Sequence, residues 1–228
     1  MSVELKNVKA VLFDLDGTLL DSAPDLAFAA NQLRISRGMD ALPLGQYRPF
    51  VGTGARGMLN IALGITPLAS DFEALKEEFF MAYEQCMGHY SEVFDGVPRL
   101  LKALQNEGRP WGVVTNKSQR FAMPIVQNTP AFDCVGVVIC GDTTAYAKPH
   151  PMPLLEAARR LDIEPAHCIY VGDDERDILA AHAAGMQSIA AAYGYLGMGE
   201  VTAWGADAVI SSPSELLQLL AVSHVSYR

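Results

Sequence analysis

Val8 to Phe13 is a largely apolar, β-branched run that stops at Asp14, Asp16 and Gly17. Such a run bounded by polar residues predicts a buried parallel strand ending in a loop, with the acids at its carboxyl end. From Asp21 to about Tyr90 no strand pattern recurs. Apolar positions there fall at helical spacing over Pro24–Arg37, Ala55–Leu63 and Phe72–Met87, separated by Gly and Pro. After Phe94-Asp95-Gly96-Val97-Pro98 the rhythm changes. Strands are predicted at Trp111–Thr115, Val135–Cys140, Cys168–Gly172, Ser188–Ala192 and Ala208–Ile210. Helices are predicted at Pro98–Glu107, Ser118–Gln127, Pro151–Leu161, Glu175–Ala184 and Ser214–Ala221. Alternating strands and helices imply an α/β fold: a Rossmann-like, doubly wound parallel sheet with helices on both faces. The expected organisation is a core of residues 1–20 and 92–228 interrupted by a helical cap domain, residues 21–91. Residues near 15–22 and 88–96 are the expected hinges.

Composition narrows the class without naming the chemistry. Half of the 228 residues are hydrophobic and 19% are charged, which suits a folded globular chain. The formal charge of −9, with 17 Lys and Arg that form no long basic run, argues against a nucleic-acid binder. It still permits one local positive site for a small anion. No basic segment followed by a long apolar stretch opens the chain, and no apolar run is long enough to span a bilayer, so a cytoplasmic, membrane-free setting is expected. Cys86, Cys134, Cys140 and Cys168 lack CxxC spacing, and the five histidines show no HExxH pattern, so zinc or disulfide chemistry has little support.

In an open α/β sheet, ligands bind beyond the carboxyl ends of the strands. The predicted strand ends deliver Asp14 and Asp16, then Thr115 and Asn116, then Lys148, then Asp173, Asp174 and, a turn later, Asp177. Carboxylates gathered this closely repel one another unless a cation lies between them, and an oxygen-rich site with room for water and phosphate suits Mg2+. Two-residue alternation puts Asp14 and Asp16 on one side of an extended segment, where one can attack while the other manages a proton. Thr115 and Lys148 are suited to clamp a phosphoryl group. Taken singly, each has a mundane reading: Thr115 as a helix start, Lys148 as a surface charge, Asp173 and Asp174 as caps of the following helix. The ordered set at successive strand ends is what points to a site.

That ordered set resembles the haloacid dehalogenase superfamily, across essentially the whole chain. The shared features are hydrophobic-Asp14-Leu15-Asp16-Gly17-Thr18, then Thr115, Lys148, and the cluster Gly172-Asp173-Asp174-Glu175-Arg176-Asp177. The resemblance implies Asp14 as a nucleophile forming an aspartyl-phosphate, and Asp16 as acid toward the leaving group and then base toward water. It implies Thr115 and Lys148 as phosphate ligands, and Mg2+ held by Asp14, Asp173 and the Asp16 backbone carbonyl. Asp177 and Asp174 would be supporting acids behind them. Lys148-Pro149-His150-Pro151 and the helical insertion fit the branch containing phosphoglycolate phosphatases and β-phosphoglucomutases. In the segment Val51-Gly52-Thr53-Gly54-Ala55-Arg56, which resembles that branch's specificity loop, Arg56 is free to meet an anionic substrate or to sit on the surface at a helix start. Trp111–Lys117, Arg120-Phe121-Ala122, Tyr193-Gly194-Tyr195 and Trp204-Gly205-Ala206-Asp207 are similar to a bacterial group named for phosphoglycolate or for N-acetylmuramic acid 6-phosphate; Lys117 and Arg120 are further pocket candidates or exposed helix residues. The expected activity is hydrolysis of a small phosphorylated metabolite. The rivals are a β-phosphoglucomutase-like phosphotransferase, a dehalogenase that would not need Asp16, and an inactive metabolite-binding module.

Overall fold

The first apolar run forms a strand, β1 (Ala10–Phe13), with all four residues buried. The computed structural model describes residues 5–197 and 199–225. After β1 come the two-residue strand β2 (Leu20–Asp21), helices α1 (Ala23–Ile35), α2 (Leu44–Tyr47), α3 (Gly54–Leu63) and α4 (Phe72–Cys86), and the short strand β3 (Glu92–Val93). The alternating part follows as α5 (Val97–Asn106), β4 (Trp111–Val114), α6 (Gln119–Asn128), β5 (Val137–Ile139), α7 (Met152–Leu161), β6 (Cys168–Gly172), α8 (Glu175–Ala183), β7 (Gln187–Ala191), β8 (Ala208–Ile210) and α9 (Pro213–Val225).

Six parallel strands lie in the order β5-β4-β1-β6-β7-β8. The chain builds outward from β1 through β4 to β5, then crosses to the other flank for β6, β7 and β8. Strand order therefore reverses at β1, which opens a crevice beyond the carboxyl ends of β1, β4 and β6. Side-chain alternation divides the apolar content between two faces. Val11, Phe13, Val113, Ile169 and Val171 pack with Leu100, Leu104, Ile125 and Leu216 on one face. Ala10, Leu12, Val114 and Tyr170 pack with Leu154, Ala157, Ala180 and Ala181 on the other. Coverage on both faces is why these strands read as continuous apolar runs instead of alternating ones.

The helices between β2 and β3 gather a separate apolar cluster around Leu33, Tyr47, Met58, Leu59, Phe79 and Tyr83, joined from outside the block by Phe121 and Tyr195. At the expected hinges the two chain crossings form an antiparallel ribbon, Leu20 opposite Val93 and Asp21 opposite Glu92. The fully buried Asp25 fastens this junction, accepting from Gly88 N–H at 2.7 Å, Tyr90 N–H at 2.8 Å and the Ser91 hydroxyl. The ribbon, α2 and the 3-10 turn Arg48–Thr53 have no counterpart in the sequence reading. Elements of two to six residues are too short to show a period.

Candidate active site

Asp14 directly follows β1, and its N–H continues the strand ladder to the Val171 carbonyl at 2.9 Å. One carboxylate oxygen, Oδ1, accepts from Leu15 N–H at 2.8 Å and from Lys148 Nζ at 3.0 Å. Among the described residues no hydrogen bond reaches Oδ2. The turn that follows needs Gly17: its φ is +86°, and a Cβ there would stand 2.1 Å from an Asp173 carboxylate oxygen. With that approach open, buried Thr18 donates its hydroxyl to Asp173 Oδ1 at 2.9 Å, while Tyr195 N–H donates to Oδ2 at 2.8 Å.

The acids after β6 are helix caps and site residues at once. Asp174 caps α8 by accepting from Arg176 N–H at 2.9 Å, and Asp177 Oδ2 accepts from Asp174 N–H at 3.1 Å to complete a capping box. The box fixes the carboxylate of Asp177, 1% exposed, where its other oxygen meets Lys148 Nζ at 2.7 Å. Lys148, 4% exposed, also donates to the Tyr170 hydroxyl oxygen at 2.7 Å. Asn116 holds the lysine's backbone from both ends, donating to Lys148 O at 3.0 Å and accepting from Lys148 N–H at 2.9 Å. Asp16 Oδ1 accepts from Lys117 Nζ at 2.9 Å and from the Ser22 hydroxyl, and that ammonium lies 4.9 Å from the centre of the Tyr83 ring. Thr115 is buried, its oxygen accepting Lys117 N–H at 3.1 Å.

One cavity of about 320 Å3 gathers Asp14, Asp16, Thr115, Asn116, Lys148, Asp173, Asp174 and Asp177, the residues placed at successive strand ends by the sequence. Leu26, Val51, Phe79, Phe80 and Tyr83 close it from the helical block, with Phe121 beside them. Arg56 is exposed and is not among the lining residues. Arg120 is likewise turned elsewhere, bonded to Glu77 and Glu84 of α4. The cations that do line the cavity are Lys148, Lys117 and Arg176. Arg176 was hidden inside the acid cluster, and Tyr195 within a resemblance motif that carried no stated role.

Five lining carboxylates face three lining cations. Burial, opposed by Lys148 and reinforced by Asp177 and Asp16, pushes the Asp14 carboxyl up to about 7. Burial, then Asp14 and Asp177, raises Asp173 well above the ordinary carboxylate range. Burial alone would lower Lys148, but Asp14 and Asp177 hold it above its usual value. Asp14, Asp173 and Asp177 offer oxygens that all lie within 4.8 Å of one another. An all-oxygen donor set with surplus negative charge fits a hard divalent cation, which would relieve the crowding that raises these acids.

The haloacid dehalogenase-like hydrolase family matches residues 11–191 of the chain. The chain is 47% identical over 209 residues to a phosphoglycolate phosphatase of Xanthomonas campestris pv. campestris, covering 91% of this chain and 94% of that one. It is 40% identical over 214 residues to an N-acetylmuramic acid 6-phosphate phosphatase of Pseudomonas aeruginosa, covering 93% and 95%. A crystal structure described as a predicted phosphoglycolate phosphatase from Haemophilus somnus superposes with a TM-score of 0.84 at 26% identity, over 95% of this chain and 99% of that one. With the four motif positions converging on one cavity at the reversal of strand order, the chain belongs to the haloacid dehalogenase-like hydrolase family, as a phosphatase.

Proposed function

We propose that the protein hydrolyses a small-metabolite phosphomonoester with Mg2+, through an aspartyl-phosphate on Asp14, and that its substrate is most like phosphoglycolate. The observation that carries this reading is the Asp14 carboxylate, with Oδ1 tied to Leu15 and Lys148 and Oδ2 left without a hydrogen bond among the described residues. The unengaged oxygen attacks phosphorus while the ester P–O bond breaks, and the departing oxygen takes a proton from Asp16. Asp16 then takes a proton from the water that attacks the phosphoryl group, releasing inorganic phosphate and restoring Asp14. Lys117 and Ser22 hold one oxygen of Asp16 in place. Thr115 is free to donate its hydroxyl proton to a phosphoryl oxygen, and Lys148 neutralises charge beside it. Asp14, Asp173 and the Asp16 carbonyl would hold Mg2+, with Asp177 as the supporting acid behind them, and the ion when bound adds charge stabilisation at the phosphoryl group. The cap face of Leu26, Val51, Phe79 and Phe80 excludes water around the reacting atoms. Turnover in the cytoplasm accords with this use of free metabolite and metal.

Phosphate release from p-nitrophenyl phosphate with Mg2+ tests the reading. Activity in the wild type and its loss in Asp14→Asn are expected; equal activity in both would remove Asp14 from the mechanism. Inorganic phosphate from glucose 1-phosphate supports hydrolysis, and glucose 6-phosphate would support the mutase reading instead. A second substrate reading, N-acetylmuramic acid 6-phosphate, draws on the aromatic cap wall of Phe79, Phe80, Tyr83 and Phe121, which suits the face of a sugar ring. Parallel assays on the two esters decide between them.

A further inference from the structure

Arg176 occupies the place at the cavity that the sequence reading offered to Arg56. It is the second residue of α8, on the sheet side, and its Nε and Nη2 grip the Asp174 carboxylate at 2.7 and 2.8 Å. Nη2 also donates to the carbonyl of Gly52, in the loop of the helical block that precedes Arg56, at 2.6 Å. The side chain therefore joins the acid cluster to the cap loop across 124 residues of sequence. A guanidinium has five N–H groups in a planar fork. Three are engaged, and the two on Nη1 have no hydrogen-bond partner among the described residues. Arg176 lines the same cavity as Asp14 and keeps 36% of its side chain exposed. Asp174 first, and beyond it Asp177 and Asp14, hold its charge firmly in place.

We propose that Arg176 determines specificity by donating through Nη1 to a carboxylate on the leaving alcohol. This rests on the phosphomonoesterase reading above and deepens it by naming the side chain that would select esters of hydroxy acids over neutral ones. A charged N–H donor suits a carboxylate oxygen more than a neutral hydroxyl oxygen, because a hydrogen bond between ionised groups is the stronger one. A second phosphate would bring up to two negative charges into a cavity where five carboxylates already face three cations, whereas a carboxylate brings one. Lys148 already meets Asp14, Asp177 and the Tyr170 hydroxyl, and Lys117 lies beside Asp16 next to the reacting atoms, which leaves Arg176 as the lining cation set back toward the Gly52 loop.

The test compares 2-phosphoglycolate with 2-hydroxyethyl phosphate, an ester of similar size without the carboxylate, for wild type, Arg176→Gln and Arg176→Lys in Mg2+. Wild type is expected to favour the acid. Arg176→Gln is expected to lower kcat/KM for 2-phosphoglycolate by about tenfold or more, chiefly through KM, and for the neutral ester by less than about threefold. Arg176→Lys is expected to recover part of the preference, because it returns the charge but cannot hold Asp174 and a second carboxylate in the same fixed geometry. Thermal melts of each variant report whether it folds. Equal losses on both esters, or a wild type without preference for the acid, would overturn this inference and leave the phosphatase reading standing. A wild type that releases phosphate from neither ester nor from p-nitrophenyl phosphate would overturn both.

Discussion

Asp16 is held by Lys117 and Ser22 through a single oxygen, which leaves the other to serve the leaving group. Its contribution therefore depends on how badly that group needs a proton. Asp16→Ala is expected to slow alkyl phosphate hydrolysis by about a hundredfold or more, and p-nitrophenyl phosphate, whose leaving group departs readily, by clearly less. Equal losses on the two esters would remove Asp16 from proton transfer. Asp14 and Asp173 make a second prediction. Their carboxyls are raised in the folded protein, Asp14 to about 7, so the native state keeps protons that the unfolded chain gives up. Without metal, their contribution to stability is present below about pH 4 and is lost as pH rises through the folded values. Metal competes with those protons. The rise in Tm on adding Mg2+ in place of a chelator is expected to be small near pH 5 and to grow toward pH 8; a pH-independent rise would argue against these acids as the ligands.

The β2–β3 ribbon is where the chain passes between the helical block and the sheet, and Tyr195 ties that ribbon to the site. Its hydroxyl accepts from Ala23 N–H at 2.9 Å and donates to Asp21 Oδ1 at 3.0 Å, its ring carries the Arg48 guanidinium at 5.7 Å, and its backbone N–H holds Asp173. Tyr195→Phe removes only the hydroxyl. A stability loss of about 1–3 kcal/mol is expected from the stranded partners. The Mg2+ midpoint of the thermal shift is expected to stay within about twofold, because the backbone contact to Asp173 is retained. A large change in that midpoint would show that the hydroxyl acts on Asp173. Asp25 holds the segment that leads into β3. Asp25→Ala strands two backbone N–H groups and a hydroxyl, and denaturant unfolding is expected to report a loss of about 3 kcal/mol or more.

Across the whole molecule, the charge of −9 surrounds a site for anions. Long-range repulsion between like charges weakens as salt shortens the Debye length to about 8 Å near physiological ionic strength. The kcat/KM for an anionic ester at fixed Mg2+ is therefore expected to rise modestly from low to physiological salt; a steep fall would mean that the positive side chains in the cavity steer the substrate from afar. The parallel sheet and its companion helices were legible because buried strands such as Cys168–Gly172 and amphipathic helices such as α7 carry their periodicity in local order. So were the site residues Asp14, Thr115 and Asp173, since each directly follows a strand. The partners that set their behaviour were not legible. Lys148 reaches Asp14 across 134 residues and Arg176 reaches Gly52 across 124, and no local pattern records such a distance. Which groups stand at the ends of which strands follows from local order in the chain; that Arg176 lines the cavity while Arg56 does not was decided by tertiary packing alone, because side-chain destination depends on how the Gly52 loop meets α8.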